Sequence, residues 1–251
     1  MSVARLAPVA VLLVLAGCGG HSEKPATSPR TTATQAAPAT PVAPTAPTFV
    51  IPAGSGHLAG MARRRGLVLR DKPGGKVIAH LKSRTAWGSP TVVWSVARRG
   101  PWLGVVAASL RNNQVGWLDV RRDRPRLWRS QFTLIADLSQ RTLELRHGGR
   151  LVRRMSVGIG APTTPTPVGR FTVTDKLLPD PGVSYYGCCL LALSGHQPHL
   201  RPGWAGGDRI AIHGSGTLGT AASAGCLHAS DTDLEMLMRR VPLGTPVYVR
   251  A

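Results

Sequence analysis

Acidic residues are scarce in this chain: 12 Asp and Glu stand against 31 Lys and Arg, which gives a formal net charge of +19. A surface of this kind favours polyanions, among them nucleic acid, anionic lipid headgroups and acidic cell-wall polymers. The sequence lacks zinc-finger spacing, a basic helix with heptads and an aromatic-rich sheet signature, so we expect no nucleic-acid partner. Aromatic residues make up only 5% of the chain, and its 21 prolines and 29 glycines indicate much linker and turn.

Cysteines with metal-ligand spacing are also absent. The chain has 4 cysteines and no CxxC pair, so a structural zinc site is unsupported and we expect no metal and no cofactor. Two of the cysteines, Cys188 and Cys189, are adjacent. They could form a strained vicinal disulfide, or one could trap Cys226 when oxidised, but we favour two small, semi-buried thiols.

No apolar run in the N-terminal region is long enough to span a membrane. Residues 6–15 form an apolar run of signal-peptide length, which Leu15-Ala-Gly-Cys18 closes. These four residues resemble the bacterial lipobox. The resemblance implies that residues 1–17 are a lipoprotein signal peptide, that cleavage occurs before Cys18, and that its sulfur carries lipid. Such a protein is held on the extracytoplasmic face of the cell membrane and reaches into the wall.

Large apolar residues are rare in residues 18–48, which consist mainly of Ala, Thr, Pro and Ser. A segment of this composition cannot bury enough surface to offset chain entropy, so we expect a disordered or polyproline-like tether. Roughly thirty residues at about 3 Å each would reach on the order of 90 Å. The tether could be a spacer into the wall or only an export linker.

Residues 49–125 show short alternating runs separated by turn residues, which predict a small β-barrel or β-sandwich. The expected strands are residues 67–70, 77–81, 91–96, 102–107 and 115–120. The order of motifs resembles a bacterial SH3-like domain, notably Gly100-Pro-Trp-Leu-Gly-Val105 and Val115-Gly-Trp-Leu118. Such domains often bind peptidoglycan peptides. We nevertheless interpret Trp94, Trp102 and Trp117 as core residues rather than ligand platforms.

The pattern of residues 131–251 predicts a second β unit. Apolar residues alternate with other residues over 132–138, and further strands are expected at 141–146 and 151–158. A glycine turn joins the last two, which indicates antiparallel strands. A proline-rich loop then leads into a strand at 170–175. Near the end, Ser230 and Asp233 predict a helix cap before a helix at 234–241, and residues 246–250 predict a last strand.

Two short motifs in this unit have the layout of a nucleophile and its base. His213 ends an apolar strand-like run and is followed by Gly214, while Cys226 follows Ser223-Ala-Gly225. A cysteine thiol is mostly protonated at neutral pH, so a catalytic cysteine needs a neighbour that accepts its proton. Small residues around Cys226 would let a substrate carbonyl approach backbone amides that stabilise an oxyanion.

These motifs and the upstream Thr166-Pro-Val-Gly-Arg-Phe171 resemble, in order and interval, the L,D-transpeptidase (YkuD-like) catalytic domain. The implied fold is mainly β: a small SH3-like barrel followed by a catalytic β-sandwich with a short helix. The resemblance implies peptidoglycan cross-linking, in which Cys226 attacks a stem tetrapeptide and releases D-alanine, and a second stem resolves the thioester. His213 would be the base, Gly225 an oxyanion amide, and the Gly214 carbonyl would orient His213.

The motif departs from the family at two positions. Ala224 stands where a second histidine is usual, and His228 stands where Arg or Asn is common. His228 is close enough to be an alternative base, but we favour His213 because it lies in the matching motif.

We expect peptidoglycan stem peptides as the partner and a monomer as the oligomeric state. Further candidates for substrate contact are Ser223, His228, His196 and Tyr186. The alternative function is a catalytically silent lipoprotein that binds peptidoglycan.

Overall fold

The computed structural model describes residues 56–180, 182, 185–214 and 217–251, and these contain seventeen strands and two helices. The first part comprises β1 (His57–Met61), β2 (Leu67–Arg70), β3 (Val77–Leu81), β4 (Val92–Arg99), β5 (Trp102–Val106), β6 (Gly116–Asp119), α1 (Val120–Asp123) and β7 (Arg126–Ser130). The second part comprises β8 (Phe132–Asp137), β9 (Thr142–His147), β10 (Arg150–Ser156), β11 (Ile159–Gly160), β12 (Gly169–Leu177), β13 (Leu190–His196), β14 (Arg209–His213), β15 (Ala221–Ser223), β16 (Leu227–His228), α2 (Asp231–Arg240) and β17 (Pro246–Arg250). The prediction of a mainly β protein is confirmed.

The first seven strands form one antiparallel sheet in the order β3-β2-β6-β5-β4-β1-β7. The five predicted strands of this region are confirmed as β2 to β6. Sequence reasoning missed β1 and β7, which pair with each other from His57↔Ser130 to Met61↔Arg126. Glycine in β1 and arginines in β7 dilute the usual strand signal, which depends on β-branched and aromatic residues.

The second sheet has eight strands in the order β10-β9-β8-β17-β12-β13-β14-β16. The last strand of the chain, β17, lies in its middle, parallel to β8 and antiparallel to β12. Its residues Val247, Tyr248 and Val249 are all buried, as expected for a central strand. The predicted last strand at 246–250 is therefore confirmed.

One face of this sheet is covered by α2. Ser230 caps the helix, because its hydroxyl accepts from the Asp233 amide at 3.2 Å, as the capping pattern predicted. The helix begins at Asp231, earlier than expected, and packs Leu234 and Leu237 into the main hydrophobic core. Each fully buried leucine contributes roughly 1.5–3 kcal/mol.

The two sheets pack against each other through aromatic residues. The rings of Trp94 and Tyr248 meet edge to face at 5.3 Å, and His57 joins them at 5.9 Å from Trp94. Trp94 and Trp117 are 3% and 9% exposed, so their interpretation as buried residues is confirmed, whereas Trp102 is half-buried.

Two consecutive asparagines in the loop between β5 and β6 also bind the backbone of the second part of the chain. Asn112 donates to the His196 carbonyl at 2.6 Å and accepts from the His196 amide at 2.8 Å. Asn113 donates to the Val168 carbonyl and accepts from the Arg170 amide, both at 3.2 Å. Each side chain thus satisfies one backbone donor and one acceptor at the edge of the second sheet.

The predicted signal peptide (1–17), Cys18 and the tether (18–48) lie outside the described residues. None of the helices in the described part of the chain has the length and apolar character needed to cross a membrane. The SH3-like nature of the first sheet stays a prediction.

Candidate active site

Two neighbouring parallel strands position the predicted nucleophile and base. β14 pairs with β16 in the register Ile212↔Leu227 and His213↔His228. Cys226 directly precedes β16, and the Ala211 amide of β14 donates to its Sγ at 3.4 Å. Cys226, His213 and His228 consequently line one cleft of about 170 Å³.

Burial raises the pKa of the Cys226 thiol, and the hydrogen bond from the Ala211 amide opposes this only in part. The resting thiol is therefore protonated at neutral pH. Since the thiolate is the reactive form, any attack by Cys226 needs a base that takes the proton as the substrate binds.

His213 is 1% exposed, and its Nδ1 lies 2.7 Å from the Gly214 carbonyl oxygen. A carbonyl only accepts, so Nδ1 carries the proton and Nε2 is the basic nitrogen of the neutral ring. Burial lowers the pKa of His213, although the Gly214 contact opposes the shift. The imidazole is thus neutral and able to accept a proton at neutral pH. The catalytic role of His213 itself stays a prediction.

Gly214 also has a packing reason to be glycine. A Cβ at this position would lie 2.5 Å from Asp231 Oδ1 and 2.8 Å from the Gly187 Cα, closer than a Cβ normally approaches any heavy atom. The close approach of these two glycines brings the Tyr186 carbonyl to the Gly214 amide at 2.9 Å. The Gly214 peptide that orients His213 is therefore fixed by its hydrogen bond to Tyr186 and by its packing against Gly187.

His228 stands beside His213, with 4.7 Å between their ring centroids. Its Nδ1 lies 3.1 Å from the Thr217 hydroxyl. Burial, and secondarily the charge of His213, lowers the pKa of His228 to about 4. His228 is therefore a neutral, buried residue of the cleft at neutral pH, in a position compatible with substrate contact.

Aromatic rings form the wall next to His213. Tyr186 meets the imidazole edge to face at 5.1 Å, and Tyr185 lies 5.9 Å from it. Burial, followed by the charge of a Cys226 thiolate, raises the pKa of Tyr186, so its phenol stays neutral. Tyr186 thus lines the cleft, as a substrate-contact residue would, while that contact stays a prediction.

The loop that carries the cysteine is shaped by Ser223. Its hydroxyl donates to the Cys226 carbonyl at 2.7 Å and accepts from the Gly225 amide at 3.0 Å. Ser223 is 5% exposed, so its hydroxyl forms these two hydrogen bonds in the buried interior of the loop. The predicted substrate contact of Ser223 and the oxyanion role of the Gly225 amide stay predictions; the latter requires the amide to turn from Ser223 to the substrate.

Gln197, which sequence reasoning missed, joins this loop to the proline-rich loop. Its buried Nε2 lies 3.2, 3.1 and 2.9 Å from the carbonyl oxygens of Thr164, Pro165 and Ala224. Gly225, with a φ of 119°, packs directly on this amide, so a side chain here would overlap Gln197. No local pattern marks Gln197, because its partners lie 27 to 33 residues away in the chain.

The structure places His196 at the contact between the two sheets. Its Nδ1 lies 2.9 Å from Asp208 Oδ2 and its Nε2 lies 2.7 Å from the Ala108 carbonyl oxygen. Asp208 lines the cleft and His196 does not border it. Its predicted substrate contact stays a prediction.

Cys188 and Cys189 are free thiols, half-buried and buried respectively. Burial is the main reason that the pKa of Cys188 rises to about 12, and it also raises the pKa of Cys189. Both are therefore poor nucleophiles at neutral pH. In the part of the chain that the structure describes, no group of three His, Cys, Asp or Glu residues could hold a metal ion.

Comparison with known proteins finds L,D-transpeptidases. Residues 131–249 match the YkuD family model, the L,D-transpeptidase catalytic domain. The matched range, slightly less than half of the chain, contains His213, Cys226 and Gln197. A Bacillus licheniformis protein bearing the name L,D-transpeptidase YkuD is 31% identical over 121 residues. The alignment covers 47% of this chain and 65% of that protein, which is less than two thirds of its length.

Solved L,D-transpeptidases are among the similar structures. One is L,D-transpeptidase 3 from Mycobacterium tuberculosis in complex with a faropenem-derived adduct, at 21% identity and a TM-score of 0.38, with coverage of 55% of this chain and 73% of that one. Another is an L,D-transpeptidase from Mycobacterium smegmatis, at 18% identity and a TM-score of 0.39, with coverage of 77% and 82%.

Proposed function

We propose that this chain is a peptidoglycan L,D-transpeptidase that works through a thioester on Cys226. The observation that carries the proposal is the shared cleft, in which a protonated thiol and a neutral imidazole are held by adjacent strands. The match of residues 131–249 to the L,D-transpeptidase catalytic domain supports the same reaction class.

In the proposed acylation, Nε2 of His213 takes the proton from Cys226 as Sγ attacks the carbonyl carbon at the third residue of a stem tetrapeptide. Collapse of the tetrahedral adduct breaks the C–N bond. The departing D-alanine amine receives the proton from the imidazolium, which leaves a thioester. The bond between Nδ1 and the Gly214 carbonyl keeps Nε2 as the proton-transferring nitrogen throughout.

In the second half-reaction, the side-chain amine of another stem attacks the thioester and gives its proton to His213. The C–S bond breaks, a new amide forms, and the proton returns to Cys226 Sγ. Water in place of the amine would give hydrolysis, with released D-alanine but no cross-linked dimer.

The test is covalent labelling by a carbapenem, measured by intact mass. The native protein should gain the mass of one carbapenem and Cys226→Ala should gain none, while Cys188→Ala and Cys189→Ala should label normally. Tetrapeptide turnover, followed through D-alanine release and dimer formation, is the parallel assay. Absence of both labelling and turnover in the native protein would refute the proposal and favour the silent, peptidoglycan-binding alternative.

The proposed location is the outer face of the cell membrane, with the monomeric protein anchored through lipid on Cys18. The support is the lipobox-like Leu15-Ala-Gly-Cys18. Cys18→Ala should move the protein from the membrane fraction to the soluble fraction and abolish incorporation of labelled fatty acid. Retention in the membrane by the variant would show another mode of attachment.

The proposed surface partner is an anionic wall polymer. Residues 56–130 contain 16 Lys and Arg against 3 Asp and Glu, so most of the net charge lies on the first sheet. Binding to isolated walls should weaken as salt increases, because screening weakens exposed charge interactions. Binding that is insensitive to salt would contradict this attraction.

A further inference from the structure

Residues 83–91, which connect β3 to β4, fold back on themselves as a short hairpin and reach into the cleft of the second sheet. Trp87, between β3 and β4, lines this cleft together with Arg209, Ala211 and Cys226. Trp87 as a residue is 48% exposed. A large apolar side chain left exposed on the wall of a concave site is typical of a ligand contact.

The hairpin holds Trp87 in place through its own hydrogen bonds. The Thr85 amide donates to the Ser89 carbonyl at 2.9 Å, and the Thr91 amide donates to the Ser83 carbonyl at 2.9 Å. Arg84 closes the tip by donating to the Gly88 carbonyl at 2.6 Å. Trp87 therefore projects from an ordered turn rather than from a loose loop.

A buried carboxylate anchors this hairpin to the second sheet. Thr85 donates its hydroxyl proton to Asp175 Oδ1 at 2.5 Å. Asp175 is fully buried in β12, and its Oδ2 has no hydrogen-bond partner among the described residues. The Thr85 hydroxyl thus satisfies a group whose burial is costly, which ties the position of the hairpin to the catalytic unit.

Arg209 fixes the indole from the other side. Its guanidinium carbon lies 5.3 Å from the centroid of the Trp87 ring, within range of a cation–π contact. The guanidinium is itself held, because Nε donates to the Leu193 carbonyl at 2.8 Å and Nη2 donates to Thr174 Oγ1 at 2.8 Å. Trp87 therefore has a defined position at the Arg209 end of β14.

β14 orders the groups of the cleft along one direction. Arg209, Ala211 and His213 are every second residue of this strand. Residues two apart in a strand point to the same face and are separated by roughly 7 Å. Arg209 contacts the indole of Trp87, and the Ala211 amide contacts the thiol of Cys226. His213 is the proposed base. Trp87 consequently lies on the opposite side of the thiol from His213.

We propose that Trp87 binds the acyl portion of the donor peptide, about two residues before the scissile carbonyl. The leaving amine must depart beside His213, which protonates it, so the retained part of the donor extends toward Arg209 and Trp87. This inference rests on the proposed function, and it makes the first sheet a part of the substrate site.

The test compares two donors: the full stem tetrapeptide, and a truncated donor that lacks its first two residues. With the full donor, Trp87→Ala should raise KM about tenfold, the scale of one lost aromatic contact, and Trp87→Phe should restore most of the affinity. With the truncated donor, Trp87→Ala and the native protein should have the same KM. Val77→Ala, at a 42% exposed position on β3, is the matched control and should behave like the native protein with both donors.

Alkylation of Cys226 by iodoacetamide separates substrate binding from damage to the site, and its rate should be the same in all variants. An equal KM for Trp87→Ala and the native protein with the full donor would overturn the inference. An equal rise in the KM of Trp87→Ala with both donors would also overturn it, because the effect would then not come from the acyl portion of the donor. Failure of the native protein to use either donor would instead refute the proposed function.

Discussion

Replacement of Gln197 by alanine should loosen the loop that carries Cys226. The Gln197 amide joins the carbonyls of Thr164 and Pro165, in the proline-rich loop, to the carbonyl of Ala224, next to the cysteine. The side chain is 5% exposed, so water does not readily replace it. The variant leaves these three carbonyls without their shared donor.

The expected loss in the free energy of unfolding follows from the number of N–H donors on the Gln197 amide. An amide nitrogen has two protons, so three acceptors at 2.9 to 3.2 Å share two hydrogen bonds. Each bond contributes about 1 kcal/mol net, and buried acceptors without a partner add to the loss. We expect Gln197→Ala to lower the free energy of unfolding by about 2 to 3 kcal/mol.

A second substitution, Gly225→Ala, tests the contact between Gly225 and the Gln197 amide. Its φ of 119° is unfavourable for any side chain, and a Cβ would overlap the Gln197 amide. Gly225→Ala should therefore cost about 1 to 3 kcal/mol from backbone strain and more from the overlap. In the Gln197→Ala background the overlap disappears and the strain remains. The double variant should then be about 1 kcal/mol more stable than the sum of the single effects implies.

Denaturation in urea, with the slope checked for constancy, measures all four members of this cycle. Gln140→Ala, at an exposed position, is the control and should change the free energy of unfolding by less than about 0.5 kcal/mol. If Gln197→Ala were no more destabilising than Gln140→Ala, Gln197 would not support the loop that carries Cys226. If Gln197→Ala and Gly225→Ala were additive, a side chain at position 225 would not overlap the Gln197 amide.

Three further predictions concern the cleft and the contact between the sheets. The pKa of His228 is about 4 in the folded chain and 6.5 when unperturbed, so its stabilising effect is present above pH 6.5 and is lost as pH falls toward 4. Denaturation at pH 7 and pH 4 should show a loss of roughly 3 kcal/mol from this residue, which His228→Asn removes; an equal loss in the variant would contradict this. The rate of Cys226 alkylation should still be rising at pH 9.0, because burial raises the pKa of the thiol; a plateau below pH 8 would indicate a resting thiolate. Asn112→Ala removes both hydrogen bonds to the His196 backbone and should lower the free energy of unfolding by about 1 to 2 kcal/mol in the same denaturation assay; an unchanged value would show that these bonds contribute little.

Short-range patterns in the sequence were enough to predict most of the strands. Alternating apolar residues located β2 to β6 and β8 to β10, and the Ser230 cap located α2. These features depend on residues two to four apart, so the amino-acid sequence shows them directly. The motifs around His213 and Cys226 are equally local, and they led to the cleft in which both residues lie.

Long-range pairing determined what the sequence did not reveal. β1 and β7 are strands because they pair with each other across more than sixty residues, although neither has a strong strand composition. Tertiary structure alone brings Gln197 to Gly225, and Trp87 of the first sheet to Arg209 of the second. Such contacts have no periodicity along the chain, because they arise where separate elements meet in the folded protein. The candidate pair, Cys226 and His213, could therefore be predicted from the sequence, whereas tertiary packing determined which other residues line and support their cleft.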